Sequence, residues 1–543
     1  MTAGEVGHAQ TELANEGGSR RLHWFEWLTL LLTAVLSLTV LGPLLVTGHA
    51  ITGGDGLFPP DQLQYLSWIR QAADHGLIGN RFDFAPDSRV FLHPAFLISG
   101  LAVRWLGLPI EYSNAALWKP VAVLVVFFGA RQYSRRLLPH GWPARTSTFI
   151  AIFCLVPASS VLGLLGAGHV LRYNLDFITS EMWPGQQLLG YEVAACAIFL
   201  VPIALLVAER ARTSKSWKLV GLTATCALLI TWLQPWQGAE LLLIIAGVEL
   251  WRWWRAGDRP WLPFLVVFAA GSAPAIYYAV LERTDAFWKL YGEMNRANAD
   301  PIWNWSWWAV LICLLPLGVP AVISLRGGIR DWQTSALRFW PLAVLVVYLQ
   351  PTGTFPFHSV QGLSVPLAVM AVSAFTVNRP DWLPKPSVWW VVPAVAFLVV
   401  PGTWHRLSIA RDNVSNRTFP YYFVGGERAA LDSLADDPAV GSVLADRYAG
   451  LLVPGFAGRE SYVGPRVLTP DFKSKATNMD LLLLRFMKPS QAQTFVRASG
   501  AKFLFEACGA WKGGAPEVSS LLGPLVASEQ RFGCSKVYTL NSP

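Results

Sequence analysis

Charge is scarce in this sequence: Asp, Glu, Lys and Arg make up 14% of its 543 residues, against about 25% in ordinary soluble domains. That scarcity excludes a soluble enzyme. With 53% hydrophobic residues, 26 Trp and a mean hydropathy of +0.38, much of the apolar surface must face lipid. Cysteine is scarce too, and its six copies fit neither a zinc-ligand spacing nor a disulfide framework. Cys154, Cys196, Cys226 and Cys313 lie in apolar runs, where cysteine acts as a small hydrophobic residue, whereas Cys508 and Cys534 lie outside them. Residues 1–22 lack a short apolar core followed by a small-residue cleavage site, and read as a disordered cytoplasmic tail rather than a cleaved signal. The basic excess of +8 reports loop asymmetry before any affinity for nucleic acid, and no nucleic-acid partner is expected.

What is present is a series of apolar runs. The first, about Phe25 to Gly48, reaches the roughly 20 residues that a bilayer crossing needs. Others follow near 115–130, 146–167, 188–208, 219–234, 236–251, 261–281, 305–325, 338–350, 360–377 and 387–403, which makes about 11 transmembrane helices. The segment 91–106 is apolar but short and holds Arg104. Reading it as an interfacial helix puts every basic cluster on one side, from Arg131, Arg135, Arg136 and Arg145 through Arg210, Arg212, Lys215 and Lys218 to Arg379 and Lys385. By the positive-inside rule that side is cytoplasmic. The acidic loops then fall outside, as does the C-terminal region. There, short segments such as GSVLADRY, AKFLFEA and KVYTL replace the spans. The fold class is thus an α-helical polytopic membrane protein with a C-terminal extracytoplasmic α/β domain: a tail over 1–22, a transmembrane domain over 23–404 and the α/β domain over 405–543. Cys508 and Cys534 share that outer domain and border strand-like segments, so they are expected to pair.

The first outer loop, residues 49–90, is too long for a plain connector and contains GGDGLFPPDQLQYLSWIRQAADHG. Pro59 and Pro60 precede Asp61, which is placed to cap a helix running to about Asp74. On that helix Asp61, Tyr65, Trp68 and Ala72 share one face, and the helix can lie flat at the interface. Two readings of Asp61 stay open. It is a cap, or it is a general base whose proton affinity partial desolvation raises.

At this point the chain resembles a family. DQLQYLSWIR in a long first outer loop, followed by FLHPAFLISGLAVRWLGLP, is similar to the GT-C superfamily of membrane glycosyltransferases. So are HSVQGLSVPLAVMA near 358–371, whose basic position is His358, WLQPWQG at 232–238, and GLLVPGFAGRESYVG in the C-terminal region. The resemblance implies a bacterial plasma-membrane enzyme of cell-wall biogenesis with its active site on the outer face. It would transfer a sugar from a polyprenyl-phosphate donor to a glycan, lipid or protein acceptor, with the first-loop Asp as base. Inverting transfer needs a carboxylate to take the acceptor proton and no acid for the phosphate leaving group.

Asp61 is the preferred catalytic base, and Asp55, between two glycines, is the alternative. A lipid phosphate needs cationic partners near the outer leaflet. Lys119, His358, Arg172 and Arg296 are the candidates, with Lys119 and His358 flanking the phosphate. Tyr65 and Trp68 would line the acceptor or sugar site, and Trp303, Trp305, Trp307 and Trp308 form an interfacial belt. No acidic motif marks a metal site, so no cofactor is expected, although a divalent metal stays compatible. The rival readings are a lipid-linked glycan transporter or flippase and a non-catalytic assembly scaffold. Against the first, the sequence shows no internal repeat, and its ionisable groups gather in outer loops apart from Glu192 and Glu240. Against the second, a scaffold has no need of a carboxylate on the first loop.

Overall fold

The computed structural model describes residues 21–84, 88–303, 307–350, 356–383, 385–417, 419–508 and 517–541. Every one of the eleven apolar runs contains helix. They form α1 (Trp24–Leu38) with α2 (Leu41–Val46), then after the first-loop helices α3 (Pro59–His75) and α4 (Pro94–Leu106) come α5 (Ile110–Leu137), α6 (Trp142–Phe153) and α7 (Ala158–Leu164). Two short helices, α8 (His169–Met182) and α9 (Pro184–Leu188), lead to α10 (Glu192–Ser214), α11 (Trp217–Leu233), α12 (Pro235–Ala256) and α13 (Phe264–Thr284). Helix α14 (Ala286–Trp303) precedes α15 (Trp307–Ser324), α16 (Trp332–Leu349), α17 (Ser364–Phe375) and α18 (Val388–Ser415).

Among the described residues, α5, α10, α13 and α18 are each long and apolar enough to cross a membrane, and α6 with α7, bent by 73°, would make a fifth crossing. The other runs fold as shorter or less apolar helices. Several helices carry internal prolines, Pro120, Pro202, Pro274, Pro341, Pro393 and Pro401 among them. Membrane helices tolerate these because neighbouring groups re-satisfy the freed backbone. On α18 only 6% of the most apolar window is buried, and Trp389 is 91% exposed. An apolar helix so uncovered by protein is covered by lipid, and the protein is an integral membrane protein. Of the interfacial tryptophans, only Trp308 has a described side chain. Trp305 lies outside the described residues.

The arginine-bearing helix ends are tied together on one face. Arg136 at the end of α5 pairs with Glu209 of α10 and with Asp331, the N-cap of α16. Arg212 pairs with Glu249 of α12 at 3.1 Å, and Arg131 with Glu26 of α1 at 2.7 Å. At the opposite face, α4 packs on α3 so closely that a Cβ on Gly100 would sit 2.6 Å from the Ala73 backbone nitrogen.

The C-terminal region holds α19 (Glu427–Asp436), α20 (Ala449–Phe456), α21 (Phe472–Leu483), α22 (Pro489–Ser499) and α23 (Val518–Leu522) around one sheet. Its strands β1 (Val443–Ala445), β2 (Phe503–Glu506), β3 (Val526–Phe532) and β4 (Ser535–Leu540) run in the order β1-β2-β4-β3, parallel between β1 and β2 and antiparallel elsewhere. Cys508 and Cys534 form a disulfide. The sulfurs lie where a Cβ on Gly425 would be, 2.0 and 2.4 Å away, so only glycine fits there. Helix α18 continues past residue 404 to Ser415, so the composition change at His405 falls inside a helix. Nor does the sheet stand apart. Leu63, Leu66, Trp68 and Ile69 of α3 share a core with Leu451, Leu452, Val453 and Phe456 of α20 and with β1 and β2.

Candidate active site

The first loop is pinned before its helix begins. The Gln62 side chain accepts from the backbone N–H of Asp55 and Gly56, at 2.9 and 2.8 Å, and donates to the Asp55 carboxylate at 2.6 Å. The Tyr421 hydroxyl donates to the Gly56 carbonyl at 2.8 Å, and a Cβ on Gly56 would lie 2.2 Å from the Leu189 carbonyl. Asp55 is 2% exposed. Its carboxylate lies 2.9 Å from Lys119 Nζ, which also holds Glu192 at 2.7 Å and the Leu188 carbonyl at 3.2 Å. Glu192 in turn accepts from Asn114 at 3.1 Å. Thus Asp55, Lys119 and Glu192 form a buried ionic knot joining the loop to α5 and α10. Lys119 is enclosed by these groups.

Asp61 sits differently. Pro59 and Pro60 occupy the first helical positions, where a missing N–H costs nothing, so Phe58 is the N-cap and Asp61 lies in the first turn without a capping bond. Its carboxylate accepts instead from the Tyr191 hydroxyl at 2.6 Å. The residue is exposed, yet its carboxylate is closely surrounded by protein. Burial raises its proton affinity above that of an ordinary aspartate, and the nearby Glu181 adds to this. The Tyr191 hydroxyl and His358 work in the opposite direction.

Helix α3 is largely buried between α4 and α20 rather than lying flat on lipid, because its apolar residues have protein partners. Trp68 is 6% exposed, within a cluster formed by Phe91, Phe96 and Trp288, with centroids 5.7, 5.3 and 6.5 Å away. Its ring is part of the core shared with α20. Tyr65 remains half-buried beside Asp61.

Two of the sequence motifs meet at His358 and Gln361. The amide of Gln361 donates to Glu181 at 2.7 Å, with His358 Nδ1 3.3 Å from the same carboxylate. Gln234 and Gln237 of WLQPWQG bond to the Gln361 side chain at 2.8 Å and to the His358 carbonyl at 3.0 Å, while Trp236 packs on the His358 ring at 4.7 Å. Sequence reasoning missed Tyr191, Glu181 and Arg406. Arg406, in the HRLSIARD end of α18, lies 6.0 Å from the Phe58 ring, within the field of Asp176 and Glu181. Its Nε is buried with no hydrogen-bond partner among the described residues. Arg172 is exposed over Gly163, and Arg296 is paired with Glu282, so neither joins this group. No group of three His, Cys, Asp or Glu among the described residues is arranged to hold a metal ion.

No protein-family model matches the sequence, and no curated protein matches it. Solved structures do match. The Archaeoglobus fulgidus oligosaccharyltransferase, in complex with Zn and sulfate, is similar over 92% of this chain and 71% of its own, at 12% identity and a TM-score of 0.51. The arabinofuranosyltransferase AftD from Mycobacteria is similar over 97% of this chain and 42% of its own, at 14% identity and a TM-score of 0.50. The present chain thus spans less than half of AftD. Both are glycosyltransferases, and the fold of this chain is the GT-C glycosyltransferase fold.

Proposed function

We propose that the protein is an inverting glycosyltransferase that moves a sugar from a polyprenyl-phosphate donor to an outer-face acceptor of the bacterial cell envelope. The observation that carries this is the Asp61 carboxylate: held by the Tyr191 hydroxyl, raised in proton affinity and within the field of His358, while Arg406 beside Phe58 has an Nε with no hydrogen-bond partner among the described residues. The acceptor hydroxyl oxygen forms the new bond to the anomeric carbon, and its proton passes to Asp61. The bond from that carbon to the phosphate oxygen breaks, its electron pair staying on the phosphate. His358 and Arg406 then meet the developing charge, Arg406 in the place first assigned to Lys119. Tyr65 lines the acceptor side. Transfer is metal-independent in this proposal, and turnover retained in EDTA is the expected result.

The test compares Asp61→Asn with Asp55→Asn in proteoliposomes given labelled polyprenyl-phosphate sugar. Asp61→Asn should lose about 10²–10⁴ in rate while keeping its melting temperature. Asp55→Asn should lose stability, since it breaks the buried knot with Lys119. Near-normal turnover by a folded Asp61→Asn protein would falsify the assignment.

A further inference from the structure

On the face that gathers the arginine-bearing helix ends, a small pocket opens where the loop between α15 and α16 meets the end of α17. Ser324, Gly328, Arg330, Arg338, Ser373 and Asn378 line it. Arg330 is held at both ends. Its backbone N–H, like that of Asp331, donates to the Thr334 hydroxyl at 2.9 Å, and its guanidinium donates to Asn378 Oδ1 at 3.0 Å. Asn378 is fixed in turn, donating to the Ser324 carbonyl at 3.1 Å and to the Ser373 hydroxyl at 2.9 Å. A Cβ on Gly327 would lie 2.1 Å from Asn378 Oδ1, so glycine leaves the room that this amide needs. Arg338 donates to the Leu325 carbonyl at 3.3 Å and lies within the field of Arg330. Both acceptors are neutral, and neither arginine is in an ion pair among the described residues. Residues 324–338 and 369–383 hold Arg326, Arg330, Arg338 and Arg379 against two carboxylates, Asp331 and Asp381. Asp331 is already taken by Arg136, and Asp381 is exposed and in no ion pair among the described residues.

We propose that this pocket binds a phosphate group, with Arg330 and Arg338 donating to its oxygens. Two like charges held near each other by neutral acceptors alone repel, and an anion placed between them turns that repulsion into attraction. Guanidinium groups match phosphate oxygens as paired donors. Because Asn378 and Thr334 fix Arg330 before any ligand arrives, little side-chain freedom is lost on binding. The headgroup of an anionic phospholipid and a soluble phosphate ester share this chemistry. Leu325, Ile329 and Trp382 are exposed around the loop, as at a membrane border that both kinds of ligand can reach.

The test uses the full-length protein in detergent, titrated with inorganic phosphate or phosphatidylglycerol, with bound ligand counted by native mass spectrometry and melting followed in parallel. Saturable binding of at least one probe is expected. Inorganic phosphate would assign the site to soluble phosphate compounds, and phosphatidylglycerol alone would assign it to a lipid headgroup. Arg330→Gln and Arg338→Gln should each weaken the bound probe about tenfold, and Arg330→Lys, which keeps the charge, should recover part of that loss. Without ligand, Arg330→Gln should melt no lower than the wild type, because it relieves the repulsion between the two arginines. Failure of both probes to saturate, or binding unaltered in both Gln variants, would overturn the site. Binding that falls in Arg406→Gln but not in Arg330→Gln would move the anion to the group around Asp61 and overturn it as well.

Discussion

At Asp61 one hydroxyl sets the balance between a competent base and an inert acid. The Tyr191 hydroxyl donates to the carboxylate and so favours its charged form, against the burial that favours the protonated one. Only the deprotonated carboxylate can take the acceptor proton, so the rate should rise with pH through the proton affinity of Asp61. Tyr191→Phe removes the stabilising donor. The acid limb of the pH–kcat profile should therefore move to higher pH, with activity recovered toward wild type on the alkaline side. A uniform loss at all pH values would show that Tyr191 acts through packing alone. Asp61 itself was legible in the sequence, because two prolines mark where its helix starts. Its true position was not, since the same prolines begin the helix three residues earlier than a cap at Asp61 requires. Tyr191 and Arg406 carried no local sign, as Tyr191 lies 130 residues from the carboxylate it orients and only the tertiary fold brings them together.

Between elements, the knot of Asp55, Lys119 and Glu192 fastens the first loop to α5 and α10. Removing the central cation leaves two carboxylates facing each other out of reach of water, and breaking a buried pair in this way costs about 3–5 kcal/mol. Lys119→Met should accordingly lower unfolding stability in detergent by about that amount while leaving the donor KM of the folded fraction unchanged. A weakened donor KM at full stability would return Lys119 to the phosphate site. Helices of the transmembrane region were readable because apolar residues run unbroken over whole turns. Likewise β1, β2 and β4 coincide with GSVLADRY, AKFLFEA and KVYTL. In contrast β3, VASEQRF, gives no hydrophobic alternation, because it is an edge strand whose residues are half-buried or exposed throughout. Helices α8 and α14 mix charge with aromatics and match no spanning pattern.

For the molecule as a whole, ion pairs gather the arginine-bearing helix ends on one face, and Asp61 with the sheet lies toward the other. We expect the arginine face to be cytoplasmic. A cysteine placed by His140→Cys should resist an impermeant thiol reagent in intact cells and react after lysis. Labelling from outside would invert the topology. The Cys508–Cys534 pair agrees with an outer location for the sheet domain, where disulfides persist.

The core shared by α3 and α20 also has a consequence in time. Arg70 on α3 and the Phe456 carbonyl it reaches are 386 residues apart. At about 5–20 residues per second, a ribosome needs roughly 20–80 s to travel that distance. Throughout that interval the helix bearing Asp61 is already made, but the surface that receives Leu66 and Ile69 is not. A chain halted anywhere before α20 presents those side chains to water or to quality control, and the reactive carboxylate acquires its setting only as synthesis nears its end.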